Sequence, residues 1–187
     1  MGRRIATAAA VIALFLAPAP LRAQRFTAGM NVADLMTLGT LSAEGSVSVA
    51  RSVTVHAGTK LNPWEFRTDS PDTQFQMRQM SLWAGARWWP WHVYSGWWAG
   101  ADARWTVYNE GGISDRVTEE GNAYGAGLYG GYGMMLSDRW NIDIGAGFWG
   151  GWKVYRSYAC PVCGRIMDEG EKLFMLPDAR ITVQYVF

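Results

Sequence analysis

Ala179-Arg180-Ile181-Thr182-Val183-Gln184-Tyr185-Val186-Phe187 is the stretch that decides the fold. Side chains in a β-strand point alternately to opposite faces. One face of this segment therefore carries Ala179, Ile181, Val183, Tyr185 and Phe187, and the other carries Arg180, Thr182, Gln184 and Val186. An apolar face set against a mostly polar one over nine residues is the period-two pattern of a half-buried strand.

The same parity recurs upstream. Trp140, Ile142, Ile144, Ala146, Phe148, Gly150, Trp152 and Val154 alternate with Asn141, Asp143, Gly145, Gly147, Trp149, Gly151 and Lys153. Trp97 to Val107, Met80 to Trp88 and Tyr124 to Leu136 repeat the pattern. Weaker versions run from Phe26 to Val32, Leu41 to Val49 and Val53 to Leu61. This predicts eight strands. The connections at Ala50–Ser52, Trp89–His92 and Ser137–Arg139 are expected to be tight, and the first connection short. Those at about 62–74, 109–122 and 156–177 are expected to be long. Alternating short and long turns suit an up-and-down antiparallel β-barrel with its short turns at one end.

The polar face decides which way such a barrel is turned. A soluble barrel fills its inside with apolar groups. Here the alternate face holds Glu44, His56, Lys60, Arg87, Asp102, Arg104, Asp143, Lys153 and Arg180, too many charges for a dry core. The sequence therefore predicts an all-β, eight-stranded transmembrane barrel, apolar outside and polar within. Outward Trp88, Trp97 and Trp140 would form one aromatic belt and Trp105, Tyr124 and Trp152 the other. Trp140 and Trp152 are twelve residues apart, about 30 Å along the normal at ~3.3 Å per residue and a tilt near 40°.

The N-terminus agrees with export. Arg3 and Arg4 precede an apolar run from Ile5 to Ala17, which ends at Pro18 and Pro20 before Leu21-Arg22-Ala23. Residues 1–23 read as a cleavable signal peptide for the ordinary secretory route, with 24–187 as one barrel domain. Removing the leader takes three of the 17 basic residues and none of the 16 acidic ones, leaving a net charge of −2. Nothing in that balance points to nucleic acid. The expected location is the outer membrane of a Gram-negative bacterium, with outer-membrane lipid and the barrel-assembly machinery as partners.

Five inward bases (Lys60, Arg87, Arg104, Lys153, Arg180) face four acids, Glu44, Asp102, Asp143 and Asp178 at the rim. Near-balance favours internal ion pairs over a charged conduit. Inward glycines are expected to make room for inward Trp83, Trp98, Trp149 and Tyr129, plugging a lumen that eight strands barely open. On the same facing, Ile144→Arg should cost more than Gly145→Ser. An ion-selective path is the sharper alternative.

Cys160 and Cys163 form a C-x-x-C in the last long connection, read as a disulfide because that loop lies outside the cytosol. Half a zinc site is the alternative, but a closed site needs four ligands. A thioredoxin-like role would need a βαβ setting. His56 and His92 fall in the lumen and in a turn at the short-turn end, away from the loops where a lipid-modifying Ser and His would work. The reading is therefore non-enzymatic, with a lipid-modifying enzyme or a narrow pore as the alternative. Acidic residues around 69–72, 110–120 and 168–171 lack EF-hand spacing, so no metal or cofactor is assigned.

Several short pieces occur in a telling order: Asn62-Pro63-Trp64, Gly111-Gly112-Ile113, Ser137-Asp138-Arg139-Trp140-Asn141, and Tyr158 to Gly164 around the cysteines. In these, the mature chain resembles a family of uncharacterised small outer-membrane barrels common in Bacteroidota. It resembles the outer-membrane protein A barrels more distantly. The ending, with Tyr185 and Phe187, resembles the C-terminal signal by which such barrels are recognised for assembly. The resemblance implies an anchoring or surface role beside surface fimbriae, and no reaction.

Overall fold

A computed structural model describes residues 26–66, 75–112, 117–160 and 164–187. The proposed leader thus lies outside the described residues, as does Cys163. The strands are β1 (Phe26–Asn31), β2 (Leu41–Ala50), β3 (Val53–Asn62), a two-residue β4 (Glu65–Phe66), β5 (Phe75–Trp88), β6 (Gly96–Gly111), β7 (Thr118–Met135), β8 (Trp140–Tyr158) and β9 (Ile166–Val186). One helical turn, α1 (Val32–Met36), lies between β1 and β2.

Apart from β4, which adds to the margin of β5, the strands form one closed antiparallel ring of eight. Each long strand pairs with its neighbours in sequence, and β1 closes on β9. Following paired residues around it from Thr27 leads through Ser46, His56, Gly85, Asp102, Gly127 and Trp149 to Leu176. Thr27 itself pairs with Val186 on β9, ten residues further along. A stagger of ten residues over eight spacings of about 4.8 Å tilts the strands by about 40°. The backbone cylinder is then about 8 Å in radius, a bore that side chains fill.

The ring is apolar outside and polar inside. Leu128 and Phe148 are 71 % and 59 % exposed, and Trp88, Trp97, Trp105, Tyr124, Ile144 and Trp152 are likewise exposed. The buried set includes Ser46, Thr54, His56, Arg87, Asp102, Asp143, Arg180, Thr182 and Gln184. Inward glycines accommodate inward rings. A Cβ on Gly131 or Gly145 would come within 2.6–2.7 Å of Trp98, on Gly127 or Gly147 within 2.3–2.6 Å of Tyr129, and on Gly58 within 2.4 Å of Trp83. Trp149, whose partner across the β7–β8 ladder is Gly127, meets Phe174 at 4.6 Å between ring centres. Gly145→Ser is consequently not the mild change that facing alone suggests, because its Cβ has no room.

Four connections differ from the sequence reading. The segments 109–122 and 156–177 are largely strand, since β6 and β7 are separated by six residues and β8 and β9 by seven. Beyond Trp105, Tyr124 and Trp152 the outward positions become Asn109, Glu120, Arg156 and Glu169, so the hydrophobic period disappears while pairing continues. Arg156 to Glu169 (3.2 Å) and Tyr158 to Glu120 (2.6 Å) bridge neighbouring strands there. The connection after β5 runs through Ser95 and is no tight turn. Tyr94 adopts φ 66°, Gly96 has φ 82°, and the rings of Trp89 and Tyr94 turn into the bore. The first connection is not a plain turn either. Asn31 caps α1 by accepting a hydrogen bond from the Ala33 N–H.

Candidate functional site

The functional candidate is the bore itself, which has a sealed end, a charged middle and an open mouth. At the sealed end Trp89, fully buried, donates through its ring N–H to Thr54 at 3.1 Å. Its ring lies 6.0 Å from Tyr94 and 6.1 Å from Trp98. Asn141, also fully buried, donates to the Tyr94 carbonyl at 3.0 Å. The sequence reading made Trp89–His92 a tight turn. Only the doubled aromatics Trp88-Trp89 hinted that one ring faces out and the next faces in.

The middle holds three arginines, each seated on an aromatic face and paired with carboxylates. Arg87 lies 4.8 Å from the Trp98 ring centre and contacts Glu44 at 2.5 Å and Asp143 at 3.3 Å. Arg104 lies 4.9 Å from Trp149 and contacts Asp178 at 2.7 Å. Arg180 lies 3.8 Å from Tyr129 and contacts Asp102 at 2.7 Å, Asp178 at 3.6 Å and Glu44 at 3.8 Å. Glu44 also accepts from the Trp83 ring N–H at 3.0 Å, and Asp143 from Gln184 at 2.7 Å. The inward residues Glu44, Arg87, Asp102, Arg104, Asp143 and Arg180 are thus brought into one network with Asp178. Burying so many charges is tolerated only because each has opposite charge and hydrogen bonds around it.

Lys60 and Lys153 stand apart from that network. Lys60 pairs with Asp34 of α1, whose carboxylate reaches into the bore from the wall. Lys153 pairs with Glu119 near the mouth. Neither acid was matched to an inward lysine from sequence. For Asp34 the available signal was its position three residues after a capping Asn31. For Glu119 there was none, because the segment read as loop. His56 is buried with its Nε2 4.0 Å from Asp102, and among the described residues neither ring nitrogen has a hydrogen-bond partner.

The mouth carries its own electrostatics. Burial works against the charge on Glu119, but hydrogen bonds from Lys153 and Tyr108 outweigh it and hold the carboxyl below its ordinary range. Glu110, two residues after Tyr108 on the same inward face, is shifted the other way by burial and by the charge of Glu119.

At the chain's end Tyr185 and Phe187 lie outside the ring. Tyr185 packs on Trp140 (5.4 Å) and on Phe187 (5.0 Å), and Phe187 packs on Phe26 (5.4 Å). Cys160 is buried at the tip of the β8–β9 hairpin, and its expected pairing with Cys163 falls on a residue outside the described set.

No curated protein matches the chain. A family model does, over residues 9–187, and so the chain belongs to the family described as "Protein of unknown function (DUF3575)".

Proposed function

We propose that this chain is an integral β-barrel of a Gram-negative outer membrane, with a structural, anchoring or surface-interaction role and no catalytic one. The observation that carries the reading is the inversion of the ring. Its outward face is a continuous apolar surface with exposed Leu128, Phe148 and Trp152, whereas its inside is polar and ion-paired. A water-soluble protein rarely exposes so large an apolar surface, and a wall facing hydrocarbon requires one. Aromatic pairs collect at one end, Trp97 on Tyr132 at 5.2 Å and Trp140 on Tyr185 at 5.4 Å. Trp105, Tyr124 and Trp152 pair side by side near the other. Such rings favour the two interfaces of a bilayer.

In this reading the β2–β3 and β7–β8 turns, both termini and the Trp89–Tyr94 plug face the periplasm. The long β6–β7 and β8–β9 hairpins project outside, where they are free to meet a surface or fimbrial partner. Residues 1–23 serve as the export signal, and Tyr185 and Phe187 engage the barrel-assembly machinery. Cys160 and Cys163 are bridged after passage through an oxidising compartment. The chain should stay with membranes through an alkaline carbonate wash, and its gel mobility should change on boiling as the ring unfolds. Release as a soluble species by carbonate would overturn the proposal.

A further inference from the structure

The mouth of the ring opens into a cavity of about 440 Å³, a volume in the range of small-molecule sites. We propose that it binds a small amphipathic organic cation, an amine on an apolar or aromatic body. This goes beyond the membrane reading and does not depend on it, because the cavity belongs to the ring itself.

Three observations on the walls select that chemistry. First, part of the lining is apolar and aromatic, formed by Trp149, Phe174 and Leu176. Second, the mouth already holds two ammonium groups by pairing carboxylate with aromatic ring. Lys153 contacts Glu119 and lies 5.4 Å from the Tyr108 ring centre. Lys172 lies 3.4 Å from Glu119 and 4.3 Å from the Tyr155 ring centre. Cations are attracted to such ring faces. Third, Glu110 also lines the cavity, and among the described residues it has neither a hydrogen bond nor an ion pair. Burial raises its pKa, with Lys153 pulling the other way from a distance and Glu119 adding to the rise, so a carboxylate is held without a direct ion-pair partner. An ammonium group at Glu110, with its apolar body lying down against Phe174 and Trp149, supplies that counterpart. At the floor Arg104 is buried and its Nε–H has no acceptor, so a ligand oxygen at the far end also finds a donor. A carboxylate-headed ligand would instead meet Glu110 and Glu119, because the two lysines of the lining, Lys60 and Lys153, are already paired with Asp34 and Glu119.

The experiment is calorimetric titration of the full processed chain, folded in detergent, with phenethylamine and with phenylpropionate, which share a body and differ in head charge. The amine should saturate at one per chain at about millimolar concentration or below, and the acid should neither bind nor compete. Glu110→Gln should weaken the amine about tenfold, as expected for a lost charge-assisted hydrogen bond. Leu176→Trp, which enlarges a side chain of the lining and leaves both mouth carboxylates in place, should abolish binding. It decides the matter if the Glu110 variant does not fold. Equal or tighter binding of the acid, an unchanged affinity in Glu110→Gln, retained binding in Leu176→Trp, or no saturable amine binding would each overturn the proposal.

Discussion

Arginine at Ala146 is the sharpest probe of the wall. Ala146 points outward on β8 between Gly130 of β7 and Ala179 of β9, so a long side chain there meets no bulky neighbour. It stands six residues from both Trp140 and Trp152. At ~3.3 Å per residue and a tilt near 40°, that places it about 15 Å from either aromatic level. An arginine reaches roughly 7 Å, so it cannot snorkel to water from this depth. In a bilayer Ala146→Arg should therefore cost about 2–4 kcal/mol, the value for a midplane charge on a barrel wall. Ile142→Arg and Val154→Arg, close to the two levels, should cost about 0–1 kcal/mol relative to alanine at the same sites. Ile144→Arg, about 10 Å above Trp140, should fall between. Reversible denaturant unfolding from lipid vesicles gives each value, and the profile along β8 should be bell-shaped with its peak at Ala146. A flat profile would refute the membrane-spanning wall, and a peak displaced toward either end would refute the assignment of the aromatic levels.

Two further outcomes follow from the inside of the ring. Arg180→Met removes the cation shared by Glu44, Asp102 and Asp178. It should destabilise by about 3–5 kcal/mol, measured by the same unfolding, and a loss under 1 kcal/mol would show that the network relaxes around water. Gly145→Ala places a Cβ 2.7 Å from Trp98, whose ring is held by Trp89 and Arg87. A cost of about 1–3 kcal/mol is expected, and Trp98→Leu in the same chain should return most of it. An additive double mutant would mean the two sites do not touch.

Strand count, parity and the inside-out character were legible because a wall with one apolar face writes its period directly into residues such as Ile142, Ile144, Ala146 and Phe148. That record ends where the wall leaves the apolar zone. Past Trp152 and Leu173 the outward face carries Arg156, Glu169 and Glu171, and strands held by cross-strand polar pairs look like loop. The near-balance of inward charge was also readable, but the pairings were not. Glu44 meets Arg87 and Arg180 only because the ring is staggered by ten residues, and a stagger leaves no mark on composition. Asp34 and Glu119 escaped for a related reason, since each neutralises an inward lysine from a segment with no period of its own.

The seam beside β9 shows how the ring is completed where pairing fails. β1 pairs with β9 only from Val186 to Thr182, and above that level β9 has no strand on this side among the described residues. There the Asn31 side chain accepts from the Ile181 N–H at 2.8 Å and from the Ala33 N–H at 3.2 Å, capping strand and helix with one oxygen. Pro177, four residues further up, has no N–H to satisfy. α1 packs against β9 in place of a strand and is tethered inward by Asp34 on Lys60, while Leu35, Met36 and Leu38 remain exposed on its outer side. In water solvent pairs the open N–H and C=O groups of such an edge, and a proline or helix there serves to prevent pairing with another chain. In hydrocarbon each open group costs several kcal/mol, and a wall can be left unpaired only where side chains, a proline or a helix remove the deficit. All three stand along this one seam, and the residues facing out beside them are apolar, a combination that suits the proposed lipid-facing wall.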